Sequence, residues 1–235
     1  MIHFDRSLAP RGFNAEVRAP GLDALREMRG EKPLRRRPGP KRKKLANITG
    51  DDLPAFWTRC LNRLARAFRD TCAYSSFHLH SVTGGRTVDH FEPKTLKKNF
   101  KRAYSWKNFR YSSLTMNRRK GTAVVCNPFR VRDHWFFVNF ADYSLYANPA
   151  LPRVVRDLID DTIQTLQLNV DTHCVISRRL SGETYFTNPS RANFVAMRKD
   201  CPLVAKEAVR QKLVAAAHLP LGGTVSQRGA WRVGW

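Results

Sequence analysis

Apolar residues recur at helical spacing in several stretches of the chain. Phe56, Trp57, Leu61, Leu64 and Phe68 form one stripe, which predicts a core-facing helix that begins near Asp51 as its cap and tolerates Pro54 in the first turn. Val154, Val155, Leu158, Ile159, Ile163, Leu166 and Leu168 predict a second helix over 153–168, with Asn169 ending it and Asp171 placed to cap the next. A further helix is expected from about Leu203 to Ala217. Elsewhere the period shortens to two. Tyr74 to His80 and Thr87 to Phe91 flank Gly84 and Gly85, which predicts a hairpin whose second strand carries Asp89 and His90. Trp135 to Tyr146 alternates aromatic and polar residues as a strand or hairpin does, and Asn148-Pro149 marks a turn. Strands and helices in this mixture predict an α+β fold, and no internal repeat is present.

The two ends of the chain read differently. Residues 1 to about 30 set Ile2, Phe4, Leu8, Phe13 and Val17 among prolines and glycines, which suits a segment lying extended across another surface, with a short helix from Gly21 to Met28. From Lys32 to Lys44, Arg35, Arg36, Arg37, Lys41, Arg42, Lys43 and Lys44 surround three prolines and a glycine. Such a run cannot bury a core and is expected to be a mobile basic arm. The tail from Gly222 to Trp235 is glycine-rich, basic and expected to be loose.

Charge narrows the choice of partner. A net charge of +23 over 235 residues, with a pI near 10.7, points to a polyanion. The five cysteines are odd in number and lack metal-ligand spacing, which suits reduced thiols in the cytoplasm. No run approaches the roughly 18 apolar residues of a membrane span, and the N-terminus has no secretory apolar core.

Candidate chemistry concentrates between Val88 and Gly121, which reads VDHFEPKTLKKNFKRAYSWKNFRYSSLTMNRRKG. Hydrolysing a phosphodiester needs a base to activate water, a divalent cation to neutralise developing charge, and a device that aims the base. His90 can serve as base. Asp89 and Asn117 can offer oxygen ligands to a hard cation such as Mg²⁺, which takes only one or two protein ligands. The side-chain or backbone oxygen of Asn108 can accept the other ring N–H of His90, fixing its tautomer. Lys94, Arg118, Arg119 and Lys120 are candidate phosphate contacts. His78, His80, His134, His173 and His218 stand at no metal spacing and are taken as structural or surface residues.

The forms DHFEPK, YSWKNF and NRRKG together resemble the ββα-metal motif of the HNH endonuclease family, in the variant that ends in asparagine. The resemblance implies that Asp89 and Asn117 bind Mg²⁺ or Mn²⁺, that His90 is the general base, and that Asn108 positions the base or its loop. A helix carrying Asn117 would complete the ββα unit. Many members carry two C-x-x-C knuckles around a structural zinc. The corresponding stretches here are Cys72 to Ser75 and Ser113 to Met116, with one thiolate of four, so no structural zinc is expected. The chain then divides into a basic N-terminal arm at 1–50, a nuclease core at 51–128, and a mainly helical region at 129–235.

With the later TIQTLQLN and SRR, the chain further resembles PtuB-like HNH proteins of bacterial anti-phage systems. That resemblance implies a nuclease effector beside a PtuA-like ATPase, in a Septu system or with a retron reverse transcriptase and its RNA and DNA, the proline-broken N-terminus serving as a docking arm. DNA is the favoured substrate. The alternatives are a ribonuclease, for instance against transfer RNA, and a basic subunit that binds nucleic acid without cutting it.

Overall fold

The computed structural model describes residues 1–35, 41–95 and 97–219. Arg36 and Arg37 of the basic arm, and the whole of the expected loose tail, lie outside the described residues. The fold mixes helix and strand, 48% against 8%, so helices supply most of the packing, and the two small sheets among the described residues serve local purposes. The chain forms two compact units. Of the described residues, those within 6–70 and 79–122 make up one; 1–5, 71–78 and those from Ala123 onward make up the other.

In the first unit the expected short helix forms, and helix also extends back into the stretch expected to be extended. A π-helical turn, Asn14–Arg18, runs into α1 (Ala19–Met28), with Pro20 accommodated near its start. Phe13, Val17, Ala24, Leu25 and Met28 are buried, so Phe13 and Val17, two of the apolar residues expected on an extended segment, pack in this unit's own core, whereas Leu8 is 92% exposed. Gly21 lets α1 approach Tyr104 closely: a Cβ there would lie 2.2 Å from the ring. The basic stretch is tethered near its end. Arg42 pairs with Glu27 at 3.4 Å and Lys43 with Asp52 at 3.1 Å.

The helix expected from Asp51 is broken. Thr49, not Asp51, caps a 3₁₀ turn at Gly50–Asp52, and Leu53, which precedes Pro54, is extended at ψ 129° because the proline ring disfavours helical backbone before it. Helix resumes as a 3₁₀ stretch, Phe56–Cys60, continuous with α2 (Leu61–Ala67).

Strand β1 (Arg86–His90) forms, but its partner is β2 (Phe109–Ser113), antiparallel with Arg86 opposite Ser113 and His90 opposite Phe109. Tyr74 to His80 was the expected partner. That segment closes on itself instead: Ser76 sits at φ +63°, Cys72 N–H donates to Phe77 O, and Thr71 bridges His78. Its backbone groups are thereby satisfied without a sheet. Directly after β2, Ser113 accepts from Met116 N and caps α3 (Leu114–Lys120). Gly121, at φ +47°, ends the helix. Between the strands lie a 3₁₀ stretch, Lys97–Tyr104, and a turn at Trp106–Asn108.

In the second unit, β3 (Phe136–Val138) and β4 (Leu145–Ala147) form the expected hairpin. Among the described residues four α-helices follow: α4 (Arg153–Thr165), α5 (Thr172–Thr187), α6 (Arg191–Asp200) and α7 (Pro202–Arg210). Asp171 caps α5 as anticipated, accepting from His173 N. The sequence did not announce α6, which buries only Phe194 and Met197 on its short stripe. Arg178 is fully buried and donates to Tyr143 O and Leu168 O at 2.6 and 2.8 Å. Among the described residues no helix is long and apolar enough to cross a membrane.

Candidate functional site

Adjacent residues of a strand face opposite sides, and β1 uses this to separate Asp89 from His90. Thr87 and Asp89 face α3. Asn117 Nδ2 donates to Thr87 Oγ1 at 3.3 Å, which turns the Asn117 amide oxygen away from that hydroxyl. One helical turn on, Lys120 Nζ lies 3.5 and 3.4 Å from Asp89 Oδ1 and Oδ2. Both side chains are buried. Lys120 was expected to face phosphate, but its ammonium points inward, where it also donates to His90 O at 3.1 Å and Gly121 O at 3.3 Å. Burial lowers its pKa, and Asp89 partly restores it. Arg110, opposite Asp89 across the sheet, is also buried; it donates to Lys107 O and Phe109 O and lies 4.7 Å over the Phe91 ring.

His90 occupies an aromatic pocket. Its ring meets Trp57 and Phe109 edge-on, with centroids 4.7 and 5.3 Å away. Nε2 lies 3.0 Å from Ala103 O. A carbonyl can only accept, so Nε2 carries the hydrogen and Nδ1 carries the lone pair in the neutral ring. Burial pushes the imidazole pKa down to about 4; the Ala103 bond opposes that shift, and Lys94 and Lys120 reinforce it. At neutral pH the ring is therefore an uncharged acceptor.

Asn108 does not bond to His90, as had been expected; it fixes the loops on either side. Its Oδ1 accepts from Glu92 N at 2.8 Å, and Nδ2 donates to Glu92 O and Arg102 O at 3.0 and 3.2 Å. Its own carbonyl accepts from Phe91 N. Asn108 thus ties the exit of β1 to the residue just before Ala103, whose carbonyl holds His90. An ion pair between Arg102 and Glu92 closes the same loop pair.

Lys94 is also engaged within the protein. Its ammonium donates to Gly50 O and Asp51 Oδ1 at 2.9 and 2.7 Å and sits 5.5 Å from the Trp57 ring centroid. Lys94 therefore braces the aromatic wall of His90. On α3, Arg118 is exposed and Arg119 is half-buried.

The structure thus gathers Asp89, Asn117 and Lys120 on the α3 side of β1 and sets His90 and the Asn108 loops on other sides of the same strand end. Thr87 could have been read from the sequence, since it stands two residues before Asp89 and so shares its face. The Ala103 carbonyl carries no residue signature. The carboxylate of Asp89, the amide oxygen of Asn117 and the hydroxyl of Thr87 are hard oxygen donors, the chemistry that Mg²⁺ and Mn²⁺ accept. Among the described residues no three or more His, Cys, Asp or Glu gather as a metal site, so an ion here would rest on one carboxylate and neutral oxygens. No family model, no curated protein and no solved structure matches the chain.

Proposed function

We propose that this chain is an HNH-type endonuclease that hydrolyses phosphodiester bonds of nucleic acid, with DNA as the favoured substrate. The observation that carries this reading is the order β1, β2, α3 with Asp89 and Asn117 presented on the strand–helix face and a tautomer-fixed His90 at the strand end. Asp89 and Asn117 would hold Mg²⁺ or Mn²⁺. When bound, such an ion supplies Lewis acidity and neutralises charge developing on the leaving oxygen.

The protein's own groups do the rest. Nδ1 of His90 takes the proton from the attacking water, and the Ala103 carbonyl steadies the imidazolium that results. Asn108 keeps the Glu92 and Arg102 loops in register, so the base does not drift. Arg118 and Arg119, on α3, meet phosphates of the strand. The products would carry a 3′-hydroxyl and a 5′-phosphate; fragments ending in a 3′-phosphate would refute the scheme.

The motif forms extend the proposal to a nuclease effector of an anti-phage complex with a PtuA-like ATPase, acting in the cytoplasm. Phe13 and Val17 are buried, so an ATPase contact through the N-terminal segment would rest on its exposed residues, Leu8 among them. A second reading, a basic subunit that binds without cutting, draws on the burial of His90 and on the occupation of Asp89 by Lys120. Cleavage of DNA and RNA with Mg²⁺ separates them. Under the nuclease reading His90→Ala and Asn117→Ala abolish cutting while binding persists, and the polymer consumed decides between deoxyribonuclease and ribonuclease. If the wild-type protein binds both polymers but cuts neither, with or without the ATPase, the non-catalytic reading holds.

A further inference from the structure

We propose that Lys120 is a resident counter-ion of Asp89, an internal cation that competes with the divalent ion for that carboxylate and so sets how much metal the site requires. The inference rests on the metal-site reading above and deepens it. Three independent features point to it. The Lys120 side chain is 0% exposed, so water does not solvate its ammonium and groups inside the protein must do so. Its three N–H donors find Asp89, His90 O and Gly121 O, so losing one partner leaves the ammonium two. The Asp89 contacts, at 3.4 and 3.5 Å, are longer than the ~2.7–2.9 Å of a tight charge-assisted bond.

The geometry makes the competition hard to avoid. Asn117 and Lys120 stand three residues apart on α3 and share a face, so the ligand and the cation approach β1 together. A divalent ion on Asp89 would stand beside a buried positive charge, which opposes its binding more strongly than an exposed lysine would. The contacts to His90 O and Gly121 O allow Lys120 to yield Asp89 without leaving its pocket. Low metal then leaves the carboxylate paired and the site organised; sufficient metal takes the carboxylate over.

The test is Mn²⁺ affinity by calorimetry without nucleic acid, on wild type, Lys120→Met, Asp89→Asn and the double variant. Lys120→Met should bind Mn²⁺ about tenfold tighter or more, and the gain should vanish in the double variant. Equal or weaker binding by Lys120→Met overturns the proposal. If Asp89→Asn binds Mn²⁺ as wild type does, the metal is not at Asp89 and the site reading itself falls. Lys120→Gln, which keeps a donor for His90 O, carries the same comparison should the methionine variant unfold. In the wild type, the Lys120 ammonium resonance should shift on Mg²⁺ addition and stay fixed in Asp89→Asn; an unmoved signal in the wild type also overturns the proposal.

Discussion

Replacing Asn108 with alanine should loosen the loops that hold His90. The side chain is buried and makes three hydrogen bonds, at 2.8, 3.0 and 3.2 Å, to the backbone of Glu92 and Arg102. Each such bond contributes about 1 kcal/mol net. Glu92 and Arg102 are half-buried and exposed, so water recovers part of the loss, and the total should be about 2–3 kcal/mol. Because the protein has two units, a single unfolding midpoint is a poor measure. Hydrogen exchange resolved along the chain is better, since it reports local opening. Protection across 86–113 should fall by on the order of 30- to 150-fold, following 1.4 kcal/mol per decade, while 153–210 keeps its protection. Under the proposed nuclease reading cleavage should fall as well, because Arg102 immediately precedes the carbonyl that fixes His90. Asn108→Asp keeps the acceptor for Glu92 N but sets a carboxylate against two carbonyls, so it should do no better than alanine. A change in protection below about threefold in Asn108→Ala would mean that these bonds do not hold the loops, and the account of Asn108 would fail.

Three other perturbations follow from the same geometry. The folded His90 pKa of about 4 lies below the ordinary value of 6.5, so between these limits the unfolded chain binds the extra proton. Its contribution to stability is present in full above pH 6.5 and is lost as the pH falls towards 4, by about 3 kcal/mol; exchange protection across 86–113, corrected for intrinsic rates and followed in chelator from pH 7 to 4.5, should show this slope, and His90→Gln should flatten it. Gly21→Ala places a methyl 2.2 Å from the Tyr104 ring, which should cost about 1–3 kcal/mol of overpacking, read as lost exchange protection in α1 and in 97–104; unchanged protection would argue that α1 does not brace that segment. Arg118→Ala with Arg119→Ala should weaken binding to DNA of any sequence and reduce the salt slope by about 2, and a slope equal to wild type would remove α3 from the nucleic-acid surface.

Much of the local structure was legible because it is written in neighbouring residues. Asp171 caps α5, the aromatic alternation makes the β3–β4 hairpin, and the apolar stripe from Val154 yields α4. Strand β1 was legible too, but its partner was not. Pairing is a choice among distant segments, and here the nearer candidate satisfied its own backbone in a turn built on Ser76. The N-terminal helix was legible from Gly21 onward; what was not is its start, which the turn Asn14–Arg18 carries back past Pro20. Proline costs little near a helix start, and Gly21 marks a close approach to Tyr104 that no local pattern reveals.

For the candidate site, residue types were easier to read than directions. The run Arg118, Arg119, Lys120 looks like one basic cluster, and a charge run ordinarily means a solvated face. Helical periodicity divides it. Lys120 follows Asn117 by three residues and shares its face, whereas Arg118 and Arg119 lie one and two residues on and turn away. The inward face then meets β1 where Thr87 and Asp89 alternate with Val88 and His90. Once α3 is taken to start at the Ser113 cap, the two periods alone place a lysine against a carboxylate. The depth of that contact is what they cannot supply, since burial depends on Phe91, Arg110 and the packed loops around them. An ammonium that reads as a phosphate contact in the sequence therefore becomes, in the fold, the charge against which any cation at Asp89 must compete.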